Sequence, residues 1–195
     1  MSEAPVAIML AGPNGAGKTT TAMTLFRETF RNVEYVNADV IAQGLSGGNP
    51  DSVALQAGAI LLKRLHELSD GRKNFAFETT GASKSFASWL GQLKSVGYEF
   101  HFYFFWLKDA ETAIARVAER VRMGGHDVPA DTIRRRYDLG LRNFFRLYLP
   151  IATTWQLIDN NLAAAPRPIA QGGEKLDAAI HDVILWAELL NRYGK

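Results

Sequence analysis

The amino-acid sequence predicts an α/β fold in which a parallel, five-stranded sheet is covered by helices on both faces. Along the 195 residues, short apolar runs alternate with longer segments whose apolar residues recur at helical spacing. This alternation is typical of a parallel sheet with helical connections. The strand candidates are apolar nearly throughout, as strands buried on both faces of a sheet must be.

The predicted elements follow one another in a regular order. The strand candidates are the short apolar runs, namely Val6–Leu10, Glu34–Val36, Phe75–Phe77, Phe100–Trp106 and Gln156–Ile158. The helix candidates are the longer segments, namely Lys18–Phe30, Asp51–Leu68, Lys84–Val96, Ala110–Val121, Asp131–Leu149 and Lys175–Arg192. In the last of these, helical spacing is shown by Leu176, Ala179, Ile180, Val183, Ile184 and Ala187. Residues Ala163–Pro168, with two prolines, are predicted to form a surface loop.

Composition indicates one globular domain spanning residues 1–195. Hydrophobic residues make up 47% of the chain, which is enough for a sizeable core. The formal charge of +2 is too small to indicate a nucleic-acid surface, and the lack of cysteine excludes disulfides and thiolate chemistry. Glu3 stands where a signal peptide carries positive charge, and no apolar run is long enough to cross a membrane. We therefore expect a cytoplasmic protein without membrane contact.

Residues 12–19 read Gly-Pro-Asn-Gly-Ala-Gly-Lys-Thr and match the phosphate-binding P-loop pattern G-x-x-x-x-G-K-[ST]. The glycines let the backbone approach phosphates closely, and the loop N–H groups with the following helix attract an anion. Lys18 supplies a positive charge for the β- and γ-phosphates, and the Thr19 hydroxyl can complete an Mg²⁺ shell. A chance glycine-rich turn would need strand, loop and helix to fall into this order by accident.

The motif predicts ATP and Mg²⁺ as cofactors. It also predicts a three-layer P-loop NTPase fold of the nucleoside-monophosphate-kinase type, in which Lys18 is catalytic. The loop residues expected to bind the nucleotide are Gly12, Asn14, Gly15, Ala16, Gly17, Lys18, Thr19 and Thr20.

Two carboxylates follow predicted strands and should therefore lie at the ligand-binding edge of the sheet. Asp39 comes after the second strand and could accept a proton from a substrate hydroxyl, or it could simply cap a helix. Glu78 ends the third strand and is expected to bind Mg²⁺ or the substrate, with Thr80 as a further substrate contact. The alternative for Glu78 and Thr80 is that they cap the next helix. Residues 45–48 are expected to form a flexible loop near the acceptor.

A basic stretch is interrupted by Gly124-Gly125 and is typical of the mobile lid of a small kinase. Arg116 and Arg120 lie four residues apart, on one face of a helix. The group Arg134-Arg135-Arg136 begins the next helix, and the lid is predicted to span roughly residues 120–136. Three consecutive arginines cannot all face one site, so part of the stretch must be a solvated, ion-paired surface. We expect Arg120 and Arg135 to be catalytic, Arg116 to bind the nucleotide and Arg134 to bind the substrate.

The combined motifs resemble the zeta-toxin family of P-loop kinases. The matching features are GPNGAGKTT, Asp39, FAFETT, RVAERVRMGGHDVPADTIRRRY and WQLIDNN, which together span residues 6 to 161. The resemblance implies phosphorylation of a sugar hydroxyl of UDP-N-acetylglucosamine, with ATP and Mg²⁺. It also implies that Asp39 is the catalytic base, that Glu78 and Thr80 hold the substrate, and that Asp159 and Asn160 lie near the adenine. An antitoxin protein is the implied partner.

The leading hypothesis is therefore an ATP-dependent phosphotransferase that acts on an alcohol group of a small molecule. The alternative is a nucleotide switch that binds or hydrolyses ATP without a small-molecule acceptor. Asp39 favours the kinase, because a switch does not need a carboxylate aimed at an acceptor hydroxyl. A kinase acting on nucleic-acid ends is disfavoured by the nearly balanced charge.

Overall fold

The computed structural model describes residues 4–25, 33–46, 53–162 and 165–195, and its described part contains one seven-stranded sheet. The five parallel strands are β1 (Val6–Ala11), β2 (Glu34–Val36), β3 (Phe75–Glu78), β4 (Glu99–Trp106) and β5 (Thr154–Asp159). The two antiparallel strands are β6 (Arg167–Gly173) and β7 (Leu176–Ile180). The strand order is β2-β3-β1-β4-β5-β6-β7. The predicted α/β fold with a mostly parallel, helix-covered sheet is confirmed.

Helices occupy the connections between the parallel strands, and one more follows β7. They are α1 (Lys18–Leu25), α2 (Ala38–Ser46), α3 (Ala54–Asp70), α4 (Ser85–Ser95), α5 (Ala110–Arg122), α6 (Ala130–Asn143) and α7 (Val183–Tyr193). A π-helical turn (Phe144–Tyr148) and a 3-10 turn (Leu149–Ile151) continue α6. Helix α2 had no counterpart among the predicted elements. Residues 26–30 of the first helix candidate, residues 47–48 of the predicted acceptor loop, Asp51 and residues 163–164 lie outside the described residues.

The prediction of five strands was wrong at the carboxyl end, where a hairpin adds two more. Helical spacing had suggested a helix from Lys175, but Leu176–Ile180 pairs with β6 and the helix begins at Val183. All five β7 side chains are exposed, so their spacing reflects no buried helix face. Pro168, assigned to a loop, lies in β6 at the irregular register opposite Ile158, where its missing N–H is tolerated.

The core lies around the central strands and positions the carboxyl edge of the sheet. Strands β1 and β3 are nearly completely buried, β4 is buried at five of its eight residues, and aromatic side chains dominate the packing. Phe102 and Phe104 on β4 contact Phe144, whose ring centroid lies 5.4 Å from each of theirs. Such contacts fix α6 against the sheet, and with it the arginines that α6 carries. Across the described ranges, no helix is both long and apolar enough to cross a membrane.

Candidate active site

The loop between β1 and α1 requires glycine for two different reasons. Gly12 has a φ of +142°, and a Cβ there would lie 2.3 Å from the Phe105 carbonyl oxygen. Gly17 has a φ of +73°, and a Cβ there would lie 3.0 Å from Nδ2 of Asn160. The first glycine therefore permits packing against β4, and the second permits a close approach to the chain after β5.

Lys18, the first residue of α1, points back over the loop. Its Nζ donates hydrogen bonds to the carbonyl oxygens of Gly12, at 2.9 Å, and Pro13, at 3.1 Å. Burial lowers the pKa of Lys18, whereas the nearby carboxylates of Glu78 and Asp39 raise it. The ammonium group therefore lies between the P-loop and both predicted carboxylates, where it can bind phosphate oxygens.

Glu78 joins the end of β3 to the P-loop. Its Oε1 accepts a hydrogen bond from the Tyr35 hydroxyl, and its carboxylate also accepts one from Thr19. Burial raises the pKa of Glu78, opposed by the charge of Lys18 and by the Thr19 hydrogen bond. Mg²⁺ prefers oxygen ligands and uses one or two from the protein beside substrate phosphates. The neighbouring oxygens of Thr19 and Glu78 fit that requirement. Tyr35, which orients Glu78, was missed by the sequence analysis.

Asp39 lies in the first turn of α2 and lines a cavity above the P-loop. The capping function that was its alternative belongs to Asn37, whose Oδ1 accepts a hydrogen bond from the Asp39 N–H at 2.8 Å. Asn37 is buried, whereas Asp39 is exposed. The Asp39 carboxylate is therefore directed to the cavity while another side chain caps its helix.

The cavity has a volume of about 810 Å³ and contains three arginines from α5 and α6. Arg116 donates hydrogen bonds to the carbonyl oxygens of Asn160, at 3.0 Å, and Asn161. Arg120 donates to the His126 carbonyl oxygen at 2.8 Å. The third is Arg136, whose Nη1 lies 3.5 Å from Oδ1 of Asn14. Burial lowers the pKa of Arg136, as does neighbouring Arg135, and Asp39 raises it.

The arginine triplet of α6 is divided between the cavity and the surface. Arg134 is ion-paired with Glu111, at 2.8 Å, and with Asp131, at 2.9 Å, on the exposed side of α6. Neither Arg134 nor Arg135 is among the described residues that line the cavity, whereas Arg136 is. In this structure Arg134 and Arg135 therefore lie outside the described lining of the cavity, and their predicted functions stay predictions.

The helical phase of α6 explains this division. Arg136 lies three residues after buried Ile133 and four before buried Gly140, so it shares their inward face. This spacing was visible in the sequence and could have singled out Arg136.

Asn160 holds the P-loop by a hydrogen bond from the buried side of the loop. It is completely buried, and its Nδ2 donates hydrogen bonds to the Ala16 carbonyl oxygen and to Oγ1 of Thr21. Asp159 is ion-paired with Arg167 at 2.8 Å. Burial raises the Asp159 pKa, but hydrogen bonds from Asn161 and Arg167 outweigh it and lower that pKa. Neither residue belongs to the described lining of the cavity, so the predicted adenine contact has no counterpart in these side-chain positions.

The other predicted site residues either line the cavity or are buried behind the P-loop surface. Those lining the cavity are Asn14, Gly15, Gly17, Lys18, Thr19, Thr20, Asp39, Glu78, Thr80, Arg116 and Arg120. Gly12 and Ala16 are buried behind the loop surface. A smaller adjoining cavity of about 250 Å³ shares Thr19, Asp39 and Arg120 and reaches Gly124 and Gly125.

Gly124 and Gly125 close the end of α5 and hold Arg120. Gly124 has a φ of +87°, and the Gly125 N–H donates to the Arg120 carbonyl oxygen at 2.9 Å. A Cβ on Gly125 would lie 2.6 Å from Cγ of Arg120. The pair is therefore a helix-ending turn that fits around the Arg120 side chain.

Comparison with known proteins agrees with this architecture. The model of a family described as an AAA domain matches residues 8–146, from β1 through the π-helical turn. An uncharacterized protein of Haemophilus influenzae is 27% identical over 131 residues, which are 67% of this chain and 91% of that protein.

Two solved structures share the fold at low sequence identity. One comes from a study of the PezAT chromosomal toxin–antitoxin system of Streptococcus pneumoniae. Its TM-score is 0.64 at 20% sequence identity, and the match covers 98% of this chain and 79% of that chain. The other is AvrRxo1-ORF1:-ORF2 with ATP, with a TM-score of 0.76 at 14% identity and 96% of this chain covered. This chain spans 64% of the length of that second chain.

Proposed function

The chain belongs to the AAA domain family, and from that premise we propose that it is an ATP-dependent, Mg²⁺-assisted kinase for a hydroxyl group of a small molecule. The observation that carries the proposal is the single cavity that joins Lys18 and Thr19 of the P-loop to Asp39. Glu78 already supplies the carboxylate that can hold Mg²⁺, so Asp39 is a second carboxylate, which can accept the proton of an acceptor hydroxyl. A nucleotide switch does not need this second group.

In the proposed reaction, the P-loop N–H groups and Lys18 hold the β- and γ-phosphates of ATP. Asp39 accepts the proton of the acceptor hydroxyl, whose oxygen forms a bond to the γ-phosphorus. The bond from that phosphorus to the β,γ-bridging oxygen breaks, and ADP leaves with the electron pair. Thr19 and Glu78 would hold Mg²⁺, which when bound would supply positive charge to the phosphates.

The three cavity arginines complete the proposed site by stabilising the transferring phosphoryl group. Arg116 and Arg120 are held by backbone carbonyl groups, and Arg136 lies beside Asn14 of the P-loop. The guanidinium group of Arg116, held by the chain after β5, is thereby oriented before substrate binds, which favours electrostatic stabilisation of the transition state.

Direct measurement of phosphoryl transfer tests the proposal. The protein is incubated with ATP, Mg²⁺ and a panel of small-molecule alcohols, and phosphorylated products are identified by mass spectrometry. UDP-N-acetylglucosamine, the acceptor that the zeta-toxin resemblance implies, is the reference member of the panel. Hydrolysis of ATP without transfer to any acceptor would instead support the nucleotide switch.

The arginines of α6 provide a matched test of the cavity. We expect Arg136→Ala to lower kcat about 10- to 100-fold, because a charge-assisted hydrogen bond contributes roughly 1.5–3 kcal/mol. The matched change Arg134→Ala removes an exposed, ion-paired arginine and is expected to leave kcat nearly unchanged. Steady-state kinetics give kcat for both variants. A larger loss of kcat for Arg134→Ala than for Arg136→Ala would show that Arg134, and not Arg136, acts in the site.

We propose that residues 122–131 act as a lid that becomes ordered when ATP and acceptor bind. The segment contains the irregular stretch between α5 and α6, and the flanking cavity arginines gain phosphate partners only in the complex. Hydrogen exchange of this segment should therefore slow when a non-hydrolysable ATP analogue is added. Equally strong protection with and without the analogue would identify a fixed structural element.

We also propose that the protein acts in the cytoplasm as a toxin restrained by an antitoxin protein. The support is the fold shared with a structure from a toxin–antitoxin system. Expression of the chain alone should then arrest bacterial growth, and the Lys18→Ala variant should not. Normal growth during expression of active kinase would contradict the toxin role.

A further inference from the structure

The cavity walls differ sharply in charge. The four cations among its described lining residues are Lys18, Arg116, Arg120 and Arg136, and they come from α1, α5 and α6. The opposite wall is formed by the start of α2, the first half of α3, and the segment from β3 into α4. Its ionisable lining groups, within the described part of the chain, are the carboxylates of Asp39 and Glu78.

The amino-acid sequence explains why this wall lacks positive charge. Residues 32–62 contain no lysine, arginine or histidine, although they carry Glu34, Asp39 and Asp51. Residues 74–83 contain none either. Lys84 follows at once, but it is exposed and is not among the described lining residues. A phosphate or carboxylate seated against the α3 and α4 side chains would therefore meet no cationic side chain of these segments, and an unpaired charge in a cavity is costly.

The wall is instead apolar, with hydroxyl groups at one side. One face of α3 contributes Ala54, Leu55, Gly58, Ala59 and Leu62, which are spaced as neighbours on a helix surface. Phe86 adds an aromatic side chain from α4. The hydroxyl groups of Thr80, Ser83 and Ser85 lie on the adjoining segment and can bind a polar, uncharged group.

We propose that the acceptor is an uncharged alcohol with an apolar or aromatic face, which lies against α3 and Phe86 and carries no phosphate or carboxylate. This inference rests on the proposed kinase function and narrows its substrate class. The acceptor hydroxyl reaches Asp39, and its apolar face covers the α3 side chains. The cations of the opposite wall remain available for the nucleotide phosphates. Pocket sites of this composition bind ligands mainly through apolar contact, with a few polar groups fixing orientation.

The test compares acceptors that share a hydroxyl-bearing part but differ in charge. The benzyl glycoside of N-acetylglucosamine is paired with UDP-N-acetylglucosamine, and uridine is paired with uridine 5′-phosphate. Transfer from ATP to each is measured as kcat/KM by mass spectrometry. In each pair of which a member is phosphorylated, we expect kcat/KM to be about tenfold or more higher for the uncharged acceptor than for the charged one.

Two glycine variants localise the effect to the α3 wall. A Cβ at Gly58, or at Gly91 on α4, would meet no described atom within 4 Å, so both helices should accept a longer side chain. Gly58→Lys adds a cation to the α3 wall and should reduce the preference for uncharged acceptors about tenfold. Gly91→Lys is the matched control outside the cavity lining and should leave the preference unchanged.

The possible results of these experiments distinguish failure of the uncharged-acceptor inference from failure of the proposed kinase function. Preference of the native protein for the charged member would overturn this inference while leaving the kinase function intact. An equal effect of Gly58→Lys and Gly91→Lys would also overturn it, because the α3 wall would then not contact the acceptor. Absence of transfer to these four acceptors and to every alcohol of the panel, with ATP hydrolysis retained, would overturn the proposed kinase function itself.

Discussion

Replacing Lys18 with alanine is expected to reduce phosphoryl transfer by at least about 10²–10³-fold and to weaken ATP binding. The ammonium group is half-buried and donates hydrogen bonds to P-loop carbonyl groups, where removal of one preorganised charge is costly to the transition state. The remaining loop donors are backbone N–H groups, which cannot replace a full positive charge. Titration of ATP binding and single-turnover transfer on the same preparation measure both effects.

The control for this prediction is Lys175→Ala. Lys175 lies in the turn between β6 and β7, at the opposite edge of the sheet from β2, and is exposed. This variant should retain native turnover. Native turnover in a correctly folded Lys18→Ala protein would refute the assignment of residues 12–19 as a phosphate-binding loop.

For Asp39→Asn, we expect transfer to the acceptor to fall about 10²–10⁴-fold while ATP affinity changes little. The amide is nearly isosteric but cannot accept the hydroxyl proton. The cap of α2 should survive because Asn37 provides it. Removal of the carboxylate also leaves Lys18 and Arg136 with less opposing charge, so phosphate binding should not weaken.

The two readouts must come from one sample of the Asp39→Asn protein. Asp177→Asn, at an exposed position of β7, is the matched control and should behave as the native protein. A loss of ATP binding with unchanged transfer per bound ATP would show that Asp39 has a structural role, and the proposed catalytic base would have to be abandoned.

Much of the fold and of the nucleotide site could be predicted from sequence because the signals are local. The five parallel strands are short apolar runs, and each was predicted to within a few residues of its observed bounds. The P-loop is one continuous segment whose residue types are dictated by backbone geometry and charge. Placement of Asp39 and Glu78 near it followed from the rule that parallel strands present their carboxyl ends at one edge.

Features that depend on distant contacts were missed or misplaced. The hairpin of β6 and β7 is stabilised by pairing with β5, so the helical spacing of Leu176 and Ile180 within it was misleading. Asn160 was expected to approach the nucleotide, yet its side chain lies beneath Ala16, more than a hundred residues away in sequence. No local pattern reveals such a contact.

The sequence by itself determined that the chain carries a phosphate-binding loop, two carboxylates at the same sheet edge and an arginine-rich segment. Only the tertiary structure decided which face of α6 packs against the core, and with it which arginines enter the cavity, and which uncharged segments line the cavity beside them. The physical reason is rotational phase: a helix turns its side chains by about 100° per residue. Packing of Ile133, Tyr137 and Leu141 against the core turns Arg136 inward and leaves Arg134 in solvent.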